Sequence, residues 1–375
     1  MKDAFGIIIT GDQDIRMSEL TRSRSIAALP FGSRYRIVDV ILSNMVHSGL
    51  TNIGIVAQKN YHSLMDHLES GKEWDLSRKR DGLFILPPFV TRENTGAYSG
   101  MLDAVRSNMG YVRRSSQRYV VLSGSHTVFS TRFDDMMEAH IRTGADVTVL
   151  YNVAKFGSTD EASQGQRIYL DMDSSGRVQD IEVNPVMPRY QSLGMDVYIM
   201  EKSLLQHLVD TAHSHGQTDF ARDVLQKTFG ELRIFGYRYD GYVARVESVE
   251  SYYRFNMSLL DGNVRRQMLM GEHPVLTKVK DEVPARYEQS AEISNSLVAD
   301  GCIIEGSVEN SILFRGVRVG RGCVVKDCIL MQNTEVQDGA QLGYVITDKN
   351  AFIKRDRRLM GQPTYPVVIA KNSII

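Results

Sequence analysis

The sequence predicts an α/β protein: a doubly wound, Rossmann-like sheet domain followed by a C-terminal parallel β-helix. Over the first 150 residues, short apolar runs alternate with longer amphipathic stretches, as in parallel strands joined by crossover helices. After about Pro274, apolar residues recur every six positions between frequent glycines, which indicates the stacked coils of a β-helix. An ordinary β-rich domain that happens to contain such spacings is the alternative.

The elements of the first domain follow from these runs in chain order. Buried strands are predicted over 4–9, 52–57, 119–122 and 146–151. Helices are predicted over 35–48, 99–113 and 132–143, the first of them closed by Gly49. A hairpin of 167–170 with 178–183, helices over 202–212 and 220–229, and further strands extend the same sheet.

The six-residue period continues through most of the C-terminal part. It relates Leu297 to Ile303 and Val298 to Ile304, and it produces two longer rows: Leu313, Val319, Val325 and Met331, and Val324, Leu330, Val336 and Leu342. A solenoid leaves open ends that pack on another domain or subunit, so we expect an oligomer. The predicted domains are the Rossmann-like α/β domain over 1–255 and the β-helix over 291–375, with a linker over 256–290 between them.

Composition excludes several classes of protein. The 375 residues include 44 Lys and Arg and 45 Asp and Glu, which gives a net charge of -1. The chain therefore has no excess of positive charge that would bind nucleic acid or an anionic membrane. No apolar run approaches the roughly 18 residues of a membrane span, and no signal peptide is recognisable. The three cysteines, Cys302, Cys323 and Cys328, lack metal-ligand spacing, which predicts buried, reduced thiols in a cytoplasmic protein.

The loop after the first strand is the first candidate site. In α/β proteins such a loop holds phosphates, and glycines let the backbone N–H groups approach them. Here only Gly11 is present, and Asp12 and Asp14 place carboxylates where phosphates would sit. Like charges at close range repel by several kcal/mol in a cleft of low dielectric constant. We therefore expect this loop to disfavour a triphosphate.

Several motifs resemble the bacterial glucose-1-phosphate adenylyltransferases (ADP-glucose pyrophosphorylases) over nearly the whole chain. They are FGSRYRIVD at 31–39, LSN at 42–44, SG at 48–49, AQ at 57–58 with His62, DAV at 103–105, SLGM at 192–195, DF at 219–220, SLV at 296–298 and GCII at 301–304. The resemblance implies a nucleotidyltransferase-like mixed-sheet domain joined to a left-handed β-helix of hexapeptide repeats. It also implies a tetramer that makes ADP-glucose from ATP and glucose 1-phosphate with Mg²⁺.

The chain departs from the family pattern where the resemblance places the chemistry. Other residues stand for two glycines of the family's GGxGxR loop, the lysine of RxKP, the metal-binding aspartates of GD and RDVG, and the sugar-phosphate lysine of EKP. The degenerate positions are Asp12, Asp14, Ile26, Ser125, Asn184 and Arg245. Arg16 of the loop is retained.

These departures predict that the chain itself is not catalytic. Nucleotidyl transfer depends on cations that stabilise the phosphate oxygens, and Mg²⁺ needs hard oxygen ligands that Ser125 and Arg245 do not supply. We expect no catalytic residue, metal or cofactor in this chain, and Mg²⁺ in a catalytic partner. The pattern resembles the non-catalytic companion subunits of glycogen synthesis, which implies a heterotetramer with a catalytic paralogue. An active enzyme with an atypical site and a stand-alone sugar-phosphate sensor are the alternatives.

A set of arginines is the last candidate. The resemblance implies a sugar-phosphate effector site where the α/β domain meets the β-helix. Arg24 and Arg36 match family effector arginines, and Arg357 and Arg358 resemble the family's C-terminal basic cluster. Guanidinium pairs bind phosphate with two hydrogen bonds, so the four side chains would form a pocket if they converged. A solvated charged surface is the alternative.

Overall fold

The computed structural model describes residues 1–11, 17–58, 60–88, 98–153 and 166–375. The chain forms two compact units. The first unit comprises Met1–Asp12 and Val40–Val243, and the second comprises Gln13–Asp39 and Ala244–Ile375. The domain boundaries predicted at 255 and 290 stay a prediction.

The strands that precede the β-helix are short and mostly buried. In chain order they are β1 (Ala4–Ile9), β2 (Pro30–Phe31), β3 (Tyr35–Arg36), β4 (Asn52–Val56), β5 (Gly82–Leu86), β6 (Tyr119–Gly124), β7 (Thr127–Val128), β8 (Val147–Val153), β9 (Ile168–Met172), β10 (Val178–Val183), β11 (Ser192–Glu201), β12 (Ile234–Arg238) and β13 (Ala244–Arg245).

The described helices are α1 (Ile37–His47), α2 (His62–Leu68), α3 (Met101–Ser107), α4 (Met109–Arg114), α5 (Asp134–Thr143), α6 (Lys202–Ser214), α7 (Gln226–Thr228), α8 (Val249–Ser258) and α9 (Gly262–Leu269). The helix predicted over 99–113 is two helices that meet at Asn108. The one predicted over 220–229 begins as a π-helix, Phe220–Leu225, and continues as α7. Gly49 ends α1 with a positive φ of 80°, as predicted.

A mixed sheet forms the centre of the first unit. Its strand order among the described residues is β10-β9-β11-β6-β1-β4-β5, with β8 also paired to β11 and β12 paired to β8. Strands β6, β1, β4 and β5 are parallel to one another, and β11 runs antiparallel to β6, β8 and β9. All six residues of β1 are buried, as expected for a parallel strand covered on both faces. The predicted hairpin is confirmed as the β9–β10 pair.

The β-helix is confirmed, and it belongs to the second unit. Its strands are β14 (Arg286–Tyr287), β15 (Glu292–Ser294), β16 (Leu297–Val298), β17 (Ile303–Ile304), β18 (Ser307–Glu309), β19 (Ile312–Leu313), β20 (Arg318–Val319), β21 (Val324–Lys326), β22 (Ile329–Leu330), β23 (Glu335–Val336), β24 (Gln341–Gly343), β25 (Val345–Thr347), β26 (Phe352–Ile353), β27 (Arg358–Met360) and β28 (Val367–Ile369). Every third strand pairs in parallel, which produces three sheets of five strands.

The six-residue rows are wrong at one corner of the β-helix. Val325 pairs with Leu342 inside the core, whereas Val324 points outward and is 45% exposed. The row of core residues continues at Leu330, which pairs with Leu313 and lies five positions after Val325, so Met331 does not continue the row. Asp327 has a positive φ of 53° at this corner, and such a left-handed residue makes a tighter turn. The repeat is therefore shortened by one residue there.

Two further observations complete the fold. The cysteines are buried, as predicted, and none of the three is bonded to another. In the part of the chain that the structure describes, no helix is long and apolar enough to cross a bilayer.

Candidate functional site

The carboxyl ends of β1, β4 and β6 lie side by side in the first unit. Ile9 pairs with Gly124 on one side and with Val56 on the other. Thr10 continues this edge, because both its backbone N and its Oγ1 donate to the Val56 carbonyl, each at 3.0 Å. Ligands of α/β sheets bind at such carboxyl ends. Asp12 and Asp14 follow directly in sequence but lie outside the described residues.

Ser125 is the first residue after β6, and it is buried. No carboxylate stands at this position, which the resemblance aligns with a metal ligand. A carboxylate from another strand of the first unit, β11, lies beside Gly124, the residue before Ser125. A Cβ on Gly124 would overlap Oδ2 of Asp196 and would lie 3.0 Å from its Cγ. The same Cβ would lie 3.3 Å from Cε1 of His126.

Asp196 is a residue that sequence reasoning missed. It has a positive φ of 59° inside β11, where the pairing with β8 is irregular between Gly194 and Tyr198. The available signal was its charge, since Asp196 interrupts an otherwise apolar strand between the buried residues Met195 and Val197.

Asn184 directly follows β10 and lies at the open end of the β9–β10 hairpin. Its backbone N donates to the Arg167 carbonyl at 2.8 Å, and its Oδ1 accepts from the Arg167 backbone N at 2.7 Å. Its φ is positive, at 50°, a conformation that asparagine tolerates better than most residues. The amide oxygen is therefore used by the backbone, and the position supplies no positive charge to a phosphate.

Ile26 and Arg245 belong to the second unit, and the side chains of both are buried. Ile26 is buried in the short 3₁₀ helix Ile26–Ala28. Arg245 places Nη1 at 3.9 Å from Oε1 of Glu247, and both side chains are more than nine-tenths buried. The guanidinium charge of Arg245 is therefore compensated by a neighbouring carboxylate.

Arg24 forms a buried ion pair that no local sequence pattern indicated. Its Nη2 donates to both carboxylate oxygens of Asp348, at 2.7 and 2.8 Å. Its Nη1 lies 3.8 Å from the Met331 sulfur. Both members of the pair are at most 2% exposed. Arg24 therefore links residues 17–39 to the β-helix within the second unit.

Lys349 follows Asp348 and was also missed from the sequence. Burial, together with repulsion from Arg36, Arg24 and Lys280, lowers the pKa of Lys349 to about 7. The half-buried Arg36 donates from Nη1 to the Ala28 carbonyl at 3.3 Å. Several cationic side chains therefore repel one another at the corner of the β-helix that follows β25.

The four candidate effector arginines belong to two different parts of the second unit. Arg24 and Arg36 both act on Lys349, next to the end of β25. Arg357 and Arg358 are exposed, and Arg358 begins β27, which belongs to a different one of the three sheets. Successive strands of a coil lie on different sides of a β-helix, so about ten residues along the chain are enough to separate Arg358 from Lys349.

Comparison with known proteins agrees with this architecture. Residues 5–261 match the Nucleotidyl transferase family, and residues 281–362 match the GlmU-like, C-terminal hexapeptide family. The chain is 36% identical over 361 residues to the glycogen biosynthesis protein GlgD of Bacillus subtilis, covering 96% of this chain and 93% of that protein. The chain belongs to the nucleotidyl transferase family of GlgD and glucose-1-phosphate adenylyltransferase.

Two of the relatives, a GlgD and a glucose-1-phosphate adenylyltransferase, come from one organism. In Geobacillus stearothermophilus, a GlgD is 36% identical over 313 residues, covering 82% of this chain and 79% of that protein. A glucose-1-phosphate adenylyltransferase of the same organism is 34% identical over 331 residues, covering 87% of this chain and 84% of that protein.

Mg²⁺ is the group that the adenylyltransferase family implies, and the residues at the two aligned positions do not fit it. Ser125 offers a neutral hydroxyl, and Arg245 offers a cation already placed beside Glu247. Among the described residues, no three His, Cys, Asp or Glu side chains lie close enough together to hold a metal ion.

Proposed function

We propose that the chain is a non-catalytic, regulatory subunit of glucose-1-phosphate adenylyltransferase in glycogen biosynthesis. It modulates a catalytic paralogue that converts ATP and glucose 1-phosphate to ADP-glucose and pyrophosphate. The observation that carries the proposal is the state of the two aligned metal positions, a buried serine and a buried arginine beside Glu247. Without a metal or a free cation there, the charge that develops during nucleotidyl transfer is not stabilised.

The proposed partner is a catalytic paralogue in a cytoplasmic hetero-oligomer, with a tetramer as the expected size. The proposal is supported by the two Geobacillus stearothermophilus relatives, since one organism carries both a GlgD and an adenylyltransferase similar to this chain. It is also supported by the regular fold around those degenerate positions that the structure describes, Ile26, Ser125, Asn184 and Arg245. An intact scaffold suits a subunit whose function is contact with its partner.

Steady-state kinetics of the chain alone and with its paralogue test this function. With ATP, glucose 1-phosphate and Mg²⁺, the chain alone should make no ADP-glucose above background. Mixed with the paralogue, it should elute as one hetero-oligomer and change kcat or KM by about 5- to 150-fold, the usual range of allosteric coupling. Turnover by the chain alone would favour the atypical enzyme. Separate elution with unchanged kinetics would favour the stand-alone sensor.

We further propose that a sugar phosphate regulates the heteromer through the cations near Lys349. Arg36 and Lys280 provide positive charge there, and Lys349 adds to it when it is protonated. Two coils away at the equivalent corner, Arg315 is nine-tenths buried, and its Nε has no hydrogen-bond partner among the described residues. A buried guanidinium with an unused donor, as at Arg315, favours an anionic ligand.

A titration of the heteromer with fructose 1,6-bisphosphate tests this regulation. Lys349→Ala or Arg36→Ala should weaken activation by about 1.5–3 kcal/mol if a charged hydrogen bond to phosphate is lost. Arg358→Ala is the matched control, because Arg358 is exposed on another sheet of the β-helix. Identical curves for all variants would place the effector on the catalytic partner.

A further inference from the structure

An aspartate in a left-handed backbone conformation lies at the carboxyl edge of the central sheet. Asp196 has a φ of 59° within β11, and its neighbours Met195 and Val197 are fully buried. Residues other than glycine seldom adopt this conformation inside a strand, and such residues concentrate at functional sites. The two-residue irregularity of β11 opposite β8 is what turns the Asp196 side chain out of the ordinary alternation.

The side chain of Asp196 fills the space beside Gly124. Its Oδ2 lies where a Cβ of residue 124 would be, and the imidazole of His126 borders the same point. Gly124 is the last residue of β6 and pairs with Ile9, the last residue of β1. The Asp196 carboxylate therefore covers the backbone at the junction of two parallel strand ends.

Parallel strand ends attract phosphate because their following loops present backbone N–H groups. A carboxylate at the same place has the opposite effect, because it repels a polyanion and accepts the hydrogen bonds that phosphate oxygens would need. We propose that Asp196 is a specificity-determining residue that excludes nucleoside polyphosphates from the carboxyl end of β6.

This inference deepens the proposed function and rests on it, because it supplies a physical reason why the chain does not use ATP. Losing metal ligands alone would leave a site that still binds a nucleotide weakly. A carboxylate placed against Gly124 also removes the binding, so the family site is closed to its former ligand class. In the heteromer, ATP then binds only to the catalytic partner.

Calorimetric titration of the full chain with ATP tests the role of Asp196. Asparagine has nearly the same shape and tolerates the same backbone conformation, so Asp196→Asn removes the charge with little disturbance of β11. We expect ATP to bind Asp196→Asn about tenfold or more tightly than the wild type at low salt, and the gain to shrink at high salt. Adenosine, which has no phosphate, should bind both proteins equally.

Asp210→Asn is the matched control, since it removes one negative charge from an exposed position of α6 in the same unit. It should leave ATP binding at the wild-type level. Equal ATP binding by Asp196→Asn and wild type, including no measurable binding by either, would overturn the proposal, as would an equal gain for adenosine. These titrations measure binding only, so they are independent of the turnover assay that decides the proposed function.

Discussion

At the residue scale, burial decides what each arginine does. Arg24 and Arg358 were predicted from the sequence as members of one effector pocket. Arg24 is instead a buried partner of Asp348, 324 positions away in the chain, whereas Arg358 is exposed. Removing one partner of a buried ion pair leaves the other charge without compensation, and this is costly.

Arg24→Ala should therefore lower the free energy of unfolding by about 3–5 kcal/mol, measured by urea denaturation. Arg358→Ala should change it by less than about 0.5 kcal/mol, as is usual for exposed positions. The double variant Arg24→Met with Asp348→Leu should be more stable than Arg24→Ala, because no buried charge is left unpaired. Equal stability of Arg24→Ala and Arg358→Ala would contradict the structural role of Arg24.

Lys349 predicts a pH dependence of stability. Its pKa is about 7 in the folded state, against about 10.4 for an ordinary lysine in the unfolded chain. Below pH 7 both states hold the proton, and the folded state carries the full penalty of the buried charge. Between about pH 7 and 10 the folded state loses that proton first, so this group makes the protein more stable as pH rises.

The free energy of unfolding gained from Lys349 as pH rises is at most about 1.4 kcal/mol for each unit by which its pKa is lowered. Comparing urea unfolding of the wild type and Lys349→Met from pH 6 to 9.5 measures it. The difference in stability between the two proteins should shift in favour of the wild type as pH rises. A constant difference across this range would mean that Lys349 titrates normally.

At the element scale, the β-helix shows how neighbouring residues acquire opposite environments. Val324 and Val325 are adjacent in β21, but their side chains point to opposite faces of the sheet. Val325 belongs to the core row, whereas Val324 faces solvent. The six-residue period placed Val324 in one row with the core residues Leu330 and Val336, because a constant period does not allow for the shorter corner at Asp327.

Val325→Asp should destabilise the protein by more than about 3 kcal/mol, because it places an unpaired carboxylate in an apolar core. Val324→Asp is the matched control and should stay within about 0.5 kcal/mol of the wild type. Thermal unfolding followed by circular dichroism compares the two variants. A larger loss for Val324→Asp would reverse the register assigned here.

At the scale of the whole molecule, the second unit joins two distant parts of the chain. The outer row of one β-helix sheet includes Ile312, Ile329 and Ile346, and all three are fully buried. Within this unit, the Tyr253 hydroxyl of α8 donates to the Asp327 carbonyl at 2.8 Å, and Arg24 pairs with Asp348. The β-helix is thus stabilised by residues that precede it.

A fragment of residues 281–375 should therefore expose an apolar face that is covered in the full chain. We expect the fragment to self-associate on size exclusion and to bind a hydrophobic dye such as ANS, which the full chain should not. Replacing the three outer isoleucines by threonine in the fragment is the control and should reduce both effects. A monomeric fragment that does not bind the dye would show that the β-helix covers this face by itself.

The sequence by itself determined the local features of this protein. Strand β1, the β9–β10 hairpin and the β-helix follow from periodicity and turn residues, which act over a few positions. The family followed from motifs spread along the chain, and the losses at Ser125 and Arg245 followed from comparison with those motifs.

Only the tertiary structure decided which charged groups meet. The pairing of Arg24 with Asp348, the cations around Lys349 and the Asp196 carboxylate against Gly124 join residues that are far apart in sequence. The physical reason is that a buried charge must find a partner in space, and the partner depends on how the strands register and where the coils turn. No local pattern of residues carries that information.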